Sequence, residues 1–347
     1  MNDSLKWLDE PIAAPDEKTM QAATLRQSQL TKPPGSLGRL EDIAIRFAGF
    51  QRDLNPTLTK IVVRVFAADH GIAARGVSAF PQSVTAQMVE NFTRGGAAVC
   101  VLSRTLNADF LAVNMGCLHD VSPHAALVHS PIATSTADFS TQHAMTQAQM
   151  HRALKLGADQ THAADLFIGG EMGIGNTTSA AAILAALFKL NPTTITGRGT
   201  GVDDATLAHK TELIEKALVL HKEQLTDPLA ILQCLGGFEI AALVGAFIAS
   251  AQMQTPILVD GFIATAAAAL ALAINPGVKP WLLYAHQSDE QGHQLALQEL
   301  GAKPLLNLNM RLGEGSGAVL AANIIREALA LHSKMATFAE AGVSGAH

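Results

Sequence analysis

The chain has 347 residues, which suits one large core with an appendage better than a single compact unit. A net charge of −6 disfavours a nucleic-acid-binding surface, and 48% hydrophobic but only 5% aromatic residues, with alanine abundant, favour helices packed on a sheet over a β-sandwich. Three widely spaced cysteines, Cys100, Cys117 and Cys234, imply neither a disulfide framework nor a CxxC metal site and fit a reducing cytoplasm.

The first residues, MNDSLKWLDEPIAAPDEK, are charged and lack the apolar run of a signal peptide. Residues up to 50 read as two helices split by Lys32-Pro33-Pro34-Gly35, with Ser36 a candidate cap for the second. Strand candidates then follow at 60–68 (KIVVRVFAA), 108–116 (ADFLAVNMG), 165–170 (DLFIGG), 256–261 (PILVDG), 281–286 (WLLYAH) and 304–310 (PLLNLNM). These runs are continuously apolar rather than alternating, which suits strands buried on both faces of a parallel sheet. Helix candidates lie at 84–103, 177–190, 204–225, 238–252, 262–274 and 315–331. Residues 117–145, rich in His, Ser, Thr and Pro, read as a long excursion. The apolar stretch 240–274 breaks into runs too short to span a bilayer, so no membrane partner is expected.

This rhythm predicts an α/β fold: a doubly wound, mostly parallel, Rossmann-like sheet in a large domain, 51–314. A small helical domain is expected from the two chain ends, 1–50 and about 315–347. In such sheets ligands bind beyond the carboxyl ends of the strands. Those ends carry DHGI, EMGIGNTTS, DGF, HQSDEQGH and RLGEGSG, which hold most of the glycine, acidic and hydroxyl residues.

Within GGEMGIGNTTSAAAI (169–183), a Gly-rich turn feeds a helix whose exposed N–H groups suit a phosphate or carboxylate. Capping alone also explains Asn176, Thr177, Thr178 and Ser179. In TGRGTGVDD (196–204), Asp203 or Asp204 caps a helix in which Lys210 is either a point-charge partner for phosphate or a solvated residue. No P-loop occurs, and no GxGxxG follows a first strand with the acidic partner a nicotinamide-dependent dehydrogenase needs. His119, His124, His129, His286 and His293 lack metal-ligand spacing, so neither a metal nor another cofactor is expected. Asp69-His70, at a strand end, is either catalytic or a loop-orienting pair. Glu171 and Glu314 stand out because each lies in a Gly-rich turn. A glutamate shielded from water has a raised pKa and serves as a general base. The amides of 315–317 are expected to hold an anion while Glu314 faces a proton.

KPPGSLGRLE (32–41), ADHGI (68–72), GVSAFPQSVTAQMV (76–89), GEMGIGNTT (170–178), GGFEIAALVG (236–245), LVDGF (258–262) and RLGEGSGA (311–318) together resemble the nicotinate-nucleotide–dimethylbenzimidazole phosphoribosyltransferases of cobalamin biosynthesis. The similarity runs in matching order from about residue 5 to 335. It implies that nicotinate mononucleotide and dimethylbenzimidazole give α-ribazole 5'-phosphate and nicotinate, in a homodimer without a cofactor. It places catalytic glutamates at Glu314 and Glu171. It places phosphate and ribose contacts at Gly173, Gly199, Lys210, Asp260, Gly261, Ser288, Gly315 and Gly317. The base pocket falls on Phe80, Met88, Met172 and Leu312, an apolar set that suits a benzimidazole and leaves other bases or a phenol open. A non-catalytic phosphate-ligand binder of the same fold is the other alternative, against which both glutamates argue.

Overall fold

A computed structural model describes residues 3–199 and 201–344, so the outermost positions of the two terminal segments, 1–2 and 345–347, lie outside it. Six strands form one all-parallel sheet: β1 (Ile61–Ala68), β2 (Asp109–Gly116), β3 (Leu127–His129), β4 (Leu166–Met172), β5 (Ile257–Val259) and β6 (Leu282–Tyr284). Their spatial order is β3-β2-β1-β4-β5-β6. Fourteen described α-helices follow in chain order: α1 (Glu17–Gln29), α2 (Arg39–Gln51), α3 (Ser83–Thr93), α4 (Ala98–Leu106), α5 (Gln147–Asp159), α6 (Asn176–Phe188) and α7 (Pro192–Ile195), then α8 (Asp204–Leu220), α9 (Pro228–Leu235), α10 (Phe238–Gln252), α11 (Phe262–Ile274), α12 (Gln291–Glu299), α13 (Ser316–Lys334) and α14 (Phe338–Ala341). Among the described residues, no helix is long and apolar enough to cross a membrane.

The doubly wound parallel sheet expected from the apolar runs is present. Every residue of β1 is buried, because β2 and β4 flank it and helices cover both faces. Small residues let those helices approach closely. A Cβ at Gly157 of α5 would lie 1.9 Å from the Ala242 carbonyl oxygen, and one at Gly245 of α10 would lie 2.0 Å from that of Leu154. The two helices therefore meet at backbone contact, which accounts for Gly157 in α5 and for Ala242 and Gly245 in α10.

Several local expectations change. Residues 304–310 form no strand; Leu306 makes one isolated parallel bridge to His286. Pro304 lacks an N–H, and Asn309 turns left-handed at φ 55°, which ends any extended pairing. One edge strand is β3, inside the expected excursion, and the other is β6. The helix expected at 84–103 is two, α3 and α4, separated at Gly95 (φ 74°) and Gly96. Ser36 does not cap α2, whose N-cap is Gly38; Glu41 instead accepts the Leu37 N–H and pairs with Lys32 at 2.8 Å.

The chain ends touch. Arg26 of α1 donates to the carbonyls of His332 (2.9 Å) and Ser333 (3.2 Å), satisfying acceptors left over at the end of α13. Gln27 pairs with His332 Nδ1 at 2.8 Å, and Leu30 bridges to Thr337.

Candidate active site

β1 and β4 are neighbours, but the chain runs outward from them in opposite directions, through β2 and β3 on one side and β5 and β6 on the other. This is the point where a crevice opens beyond the carboxyl ends of a doubly wound sheet. Two Gly-rich turns meet there, one after β4 and one before α13.

The second turn has three successive left-handed residues: Gly313 (φ 83°), Glu314 (φ 65°) and Gly315 (φ 85°). For glutamate that conformation is strained and persists only where the surroundings enforce it. Gly170 of β4 lies flat against it: a Cβ there would sit 2.2 Å from the Glu314 carbonyl oxygen. A Cβ at Gly313 would sit 2.6 Å from Glu171 Oε1. The two turns interlock only because both positions are glycine.

Both glutamate side chains are almost fully buried, at 6% exposure each. Burial, and then the nearby Asp260 charge, raise the Glu314 carboxyl to about 7, and its Oε2 has no hydrogen-bond partner. Glu171 is pushed well above the ordinary carboxylate range by burial, then by Asp260 and Glu239, against a short hydrogen bond from the Asn176 amide. Asn176 is thus a partner of Glu171 rather than a cap; the N-cap of α6 is Gly175, which has no side chain to offer.

The anion at the start of α13 is a side chain. Asp260, at the end of β5, accepts the Gly315 N–H at 3.1 Å and the Ala318 N–H at 2.8 Å. The helix end expected to hold a ligand anion is therefore occupied by a carboxylate that locks the turn carrying Glu314. His286 Nε2 lies 3.6 Å from Asp260 Oδ1, and a Cβ at Gly317 would sit 2.1 Å from the His286 ring.

The other side is built around Lys210. It is 1% exposed, its Nζ donating to Thr177 Oγ1 (2.9 Å) and to the Gly197 carbonyl (3.0 Å). Burial lowers its pKa to about 8, opposed by the charge of Glu290. Both oxygens of Glu290 accept the Gly199 N–H at 3.1 Å. Asp203 caps α8 through Thr206 N–H at 2.8 Å. His293, lowered to about 3 by burial and then by His286, bridges Thr265 Oγ1 (2.9 Å) and the Ser288 N–H (2.9 Å), which fixes the 286–290 loop.

Glu171, Met172, Gly173, Gly199, Gly261, Ser288, Leu312 and Glu314 all line one cavity of about 100 Å³. Lys210, Asp260, Gly315 and Gly317 stand directly behind that wall, through the contacts above. Phe80, half exposed, and Met88 on α3 are not among the lining residues. Sequence reasoning missed Asn176 as a carboxylate partner, and it missed Glu290 and His286. Glu290 and His286 sit in HQSDEQGH beyond β6, so strand-end position was the available signal. Asp69 and His70 orient loops. Asp69 accepts from Thr85 Oγ1 (2.7 Å) and the Leu118 N–H (2.9 Å), while His70 pairs with Glu239 at 2.6 Å. Thr85 Oγ1 also accepts the Ile174 N–H at 3.2 Å, tying β1 to the turn after β4.

Comparison with known proteins agrees with this geometry. Residues 12–343 match the family model described as Phosphoribosyltransferase. The chain is 52% identical over 348 residues to the nicotinate-nucleotide–dimethylbenzimidazole phosphoribosyltransferase of Xanthomonas campestris pv. campestris strain B100, covering 99% of this chain and 100% of that one. It is 49% identical over 343 residues to the enzyme of that name from Pseudomonas putida, covering 97% and 98%. A crystal structure of the nicotinate-nucleotide–dimethylbenzimidazole phosphoribosyltransferase from Thermus thermophilus superposes with a TM-score of 0.89 at 40% identity, covering 95% of this chain and all of that one. A fold, a crevice and a sequence that agree over nearly the full length place this chain in the nicotinate-nucleotide–dimethylbenzimidazole phosphoribosyltransferase family.

Proposed function

We propose that the chain transfers the phosphoribosyl group of nicotinate mononucleotide to dimethylbenzimidazole, giving α-ribazole 5'-phosphate and nicotinate, a step in assembling the nucleotide loop of cobalamin. The observation that carries this reading is Glu314: a buried carboxyl raised to about 7, one oxygen unpartnered, on the wall of the cavity. Nicotinate in its nucleotide is a pyridinium, so it departs as a neutral ring and needs no acid. The attacking benzimidazole bonds through one nitrogen to the anomeric carbon and must lose the proton of the other. Glu314 accepts that proton, and its near-neutral pKa matches the task. Attack from the face opposite the leaving ring inverts the centre. Glu171, a buried carboxyl held by the Asn176 amide, positions the reacting groups. Ser288 and Lys210, the buried cation behind Thr177, receive phosphate and ribose, with Gly173, Gly199, Gly261, Gly317 and the Asp260–Gly315 pair shaping that wall.

Met172 and Leu312 supply an apolar face for the base; Phe80 and Met88, which do not line the cavity, enter this pocket only on the strength of the family resemblance. Met172 and Leu312 themselves offer no polar partner, so related bases or a phenol remain alternatives for the same chemistry. A cytoplasmic homodimer belongs to the same reading; the free thiols of Cys100, Cys117 and Cys234 fit a reducing compartment. So does a small helical domain from 1–50 and about 315–347 beside a large one at 51–314, supported by the contacts of α1 with the end of α13. The deciding experiment incubates the protein with nicotinate mononucleotide and dimethylbenzimidazole and seeks α-ribazole phosphate by mass. Its absence, in a folded sample that binds the nucleotide, would leave a non-catalytic binder.

A further inference from the structure

Among the described residues, one group of three metal-ligating side chains, His143, His221 and Cys234, places its donor atoms within 4.8 Å of one another. None of the three takes part in the chemistry above. They come from different parts of the chain: the loop after β3, the end of α8 and the last turn of α9. No spacing motif could have joined them.

The surroundings hold the three in place. The Ala144 N–H donates to the Cys234 carbonyl at 2.9 Å and the Met145 N–H to that of Gln233 at 3.1 Å, so the loop bearing His143 is fastened to the end of α9. The same loop is closed on itself by Ala137 N–H to Ala144 O at 2.9 Å. His221, 2% exposed, puts its Nε2 2.8 Å from the Phe139 carbonyl. A carbonyl only accepts, so Nε2 carries the hydrogen and Nδ1 keeps the lone pair. A backbone carbonyl on the far ring nitrogen is the usual outer-shell arrangement of a metal-binding histidine. Cys234 is a free thiol, 1% exposed, and the two imidazole rings lie 5.3 Å apart between centroids. A groove of about 650 Å³, lined by both histidines with Gln142, Gln149, Gln224 and Gln233, opens beside them. No carboxylate lines that groove to compete for the imidazoles.

We propose that His143, His221 and Cys234 bind one zinc ion, or a divalent cation of similar softness, with a fourth position open to water from the groove. Two imidazoles and one thiolate suit such an ion and do not suit magnesium or calcium. Tetrahedral zinc, with bonds of about 2.0–2.3 Å, holds its donors about 3.3–3.7 Å apart, so side-chain adjustment of about an ångström completes the site. On binding, the sulfur–metal bond forms as the S–H bond breaks and its proton passes to solvent. The imidazoles give lone pairs they already have. The ion would join three segments next to Leu235, whose carbonyl accepts from Ser179 of α6.

The test uses untagged protein stripped with a chelator and titrated with cobalt(II). One equivalent should give a cobalt–thiolate charge-transfer band and tetrahedral ligand-field bands, and zinc should displace the cobalt stoichiometrically. Zinc should raise the melting temperature, and the chelator should reverse the rise. His143→Gln, at a partly exposed position, should weaken zinc binding at least tenfold and retain the fold; Cys234→Ser should abolish the thiolate band. A wild-type protein showing no thiolate band at one equivalent overturns the proposal whatever the variants do. So does a His143→Gln protein that binds zinc as tightly as wild type.

Discussion

Glu314→Gln separates the burial of a carboxyl from its use as a base. The folded protein raises this group from 4.5 to about 7, through burial and then through Asp260. Below pH 4.5 the carboxyl is protonated in both folded and unfolded chains and costs nothing. Between 4.5 and about 7 the unfolded chain releases the proton and the folded one keeps it, so this contribution to stability falls as pH rises. Above about 7 the whole cost is in place, about 3.5 kcal/mol at about 1.4 kcal/mol per pH unit. Glutamine does not titrate. Relative to wild type, the variant should therefore gain about 5 °C in melting temperature between about pH 4 and pH 8.5, for a chain of this size. Comparing the two pH values cancels any fixed cost of burying the amide. Turnover should fall roughly 100- to 10,000-fold with both substrates still bound. The wild-type rate should climb with pH to about 7 and then level. A melting difference that is the same at both pH values, or turnover within tenfold of wild type, refutes the assignment and moves the base to Glu171.

Glu171→Gln should lower turnover less than tenfold and leave the pH profile in place, because Glu314 and not this carboxyl takes the proton; initial rates across pH test that. Lys210→Ala should raise KM for nicotinate mononucleotide at least tenfold and leave KM for dimethylbenzimidazole little changed, and the converse pattern would show the lysine misplaced. Gly170→Ala drives a methyl into the Glu314 carbonyl, so both melting temperature and turnover should drop, the latter roughly 100-fold for a displaced base. Benzimidazole and its methyl derivatives should all be used within roughly two orders of magnitude, since a buried methylene is worth only about 1 kcal/mol. Adenine should lose in direct competition, because its extra polar atoms find no partners on Met172 and Leu312.

The central strands were legible because a strand buried on both faces must be largely apolar: LFIGG is so throughout, and IVVRVFAA is but for Arg64, whose buried guanidinium is paired with Asp109 at 2.7 Å. The rim was not. β3 is only Leu127–His129, recruited by pairing with Ala112–Asn114 and by nothing in its own composition. PLLNLNM has strand composition and its Leu305 and Leu306 amides reach the Tyr284 and Ala285 carbonyls, but regular pairing stops at one bridge. In the site, Glu171 and Glu314 stood out because carboxylates in Gly-rich turns are unusual. What they touch did not. Asp260 on the α13 amides, Glu290 on Gly199 and Asn176 on Glu171 are contacts fixed by tertiary approach. A residue that caps its own helix and one that reaches a neighbouring turn look alike in a sequence; Asp203 proved the first kind and Asn176 the second.

Glu314 sits at φ 65°, between two glycines, at a position where a side chain is a steric handicap. Glycine at 314 would relieve the backbone and remove a buried ionisable group at once, so folding alone gives no reason to keep the glutamate. A directed-evolution screen that rewards heat resistance without assaying turnover would drift toward discarding this residue. Sequence libraries for thermostable variants should hold position 314 fixed and seek their gains on the exposed faces of the helices.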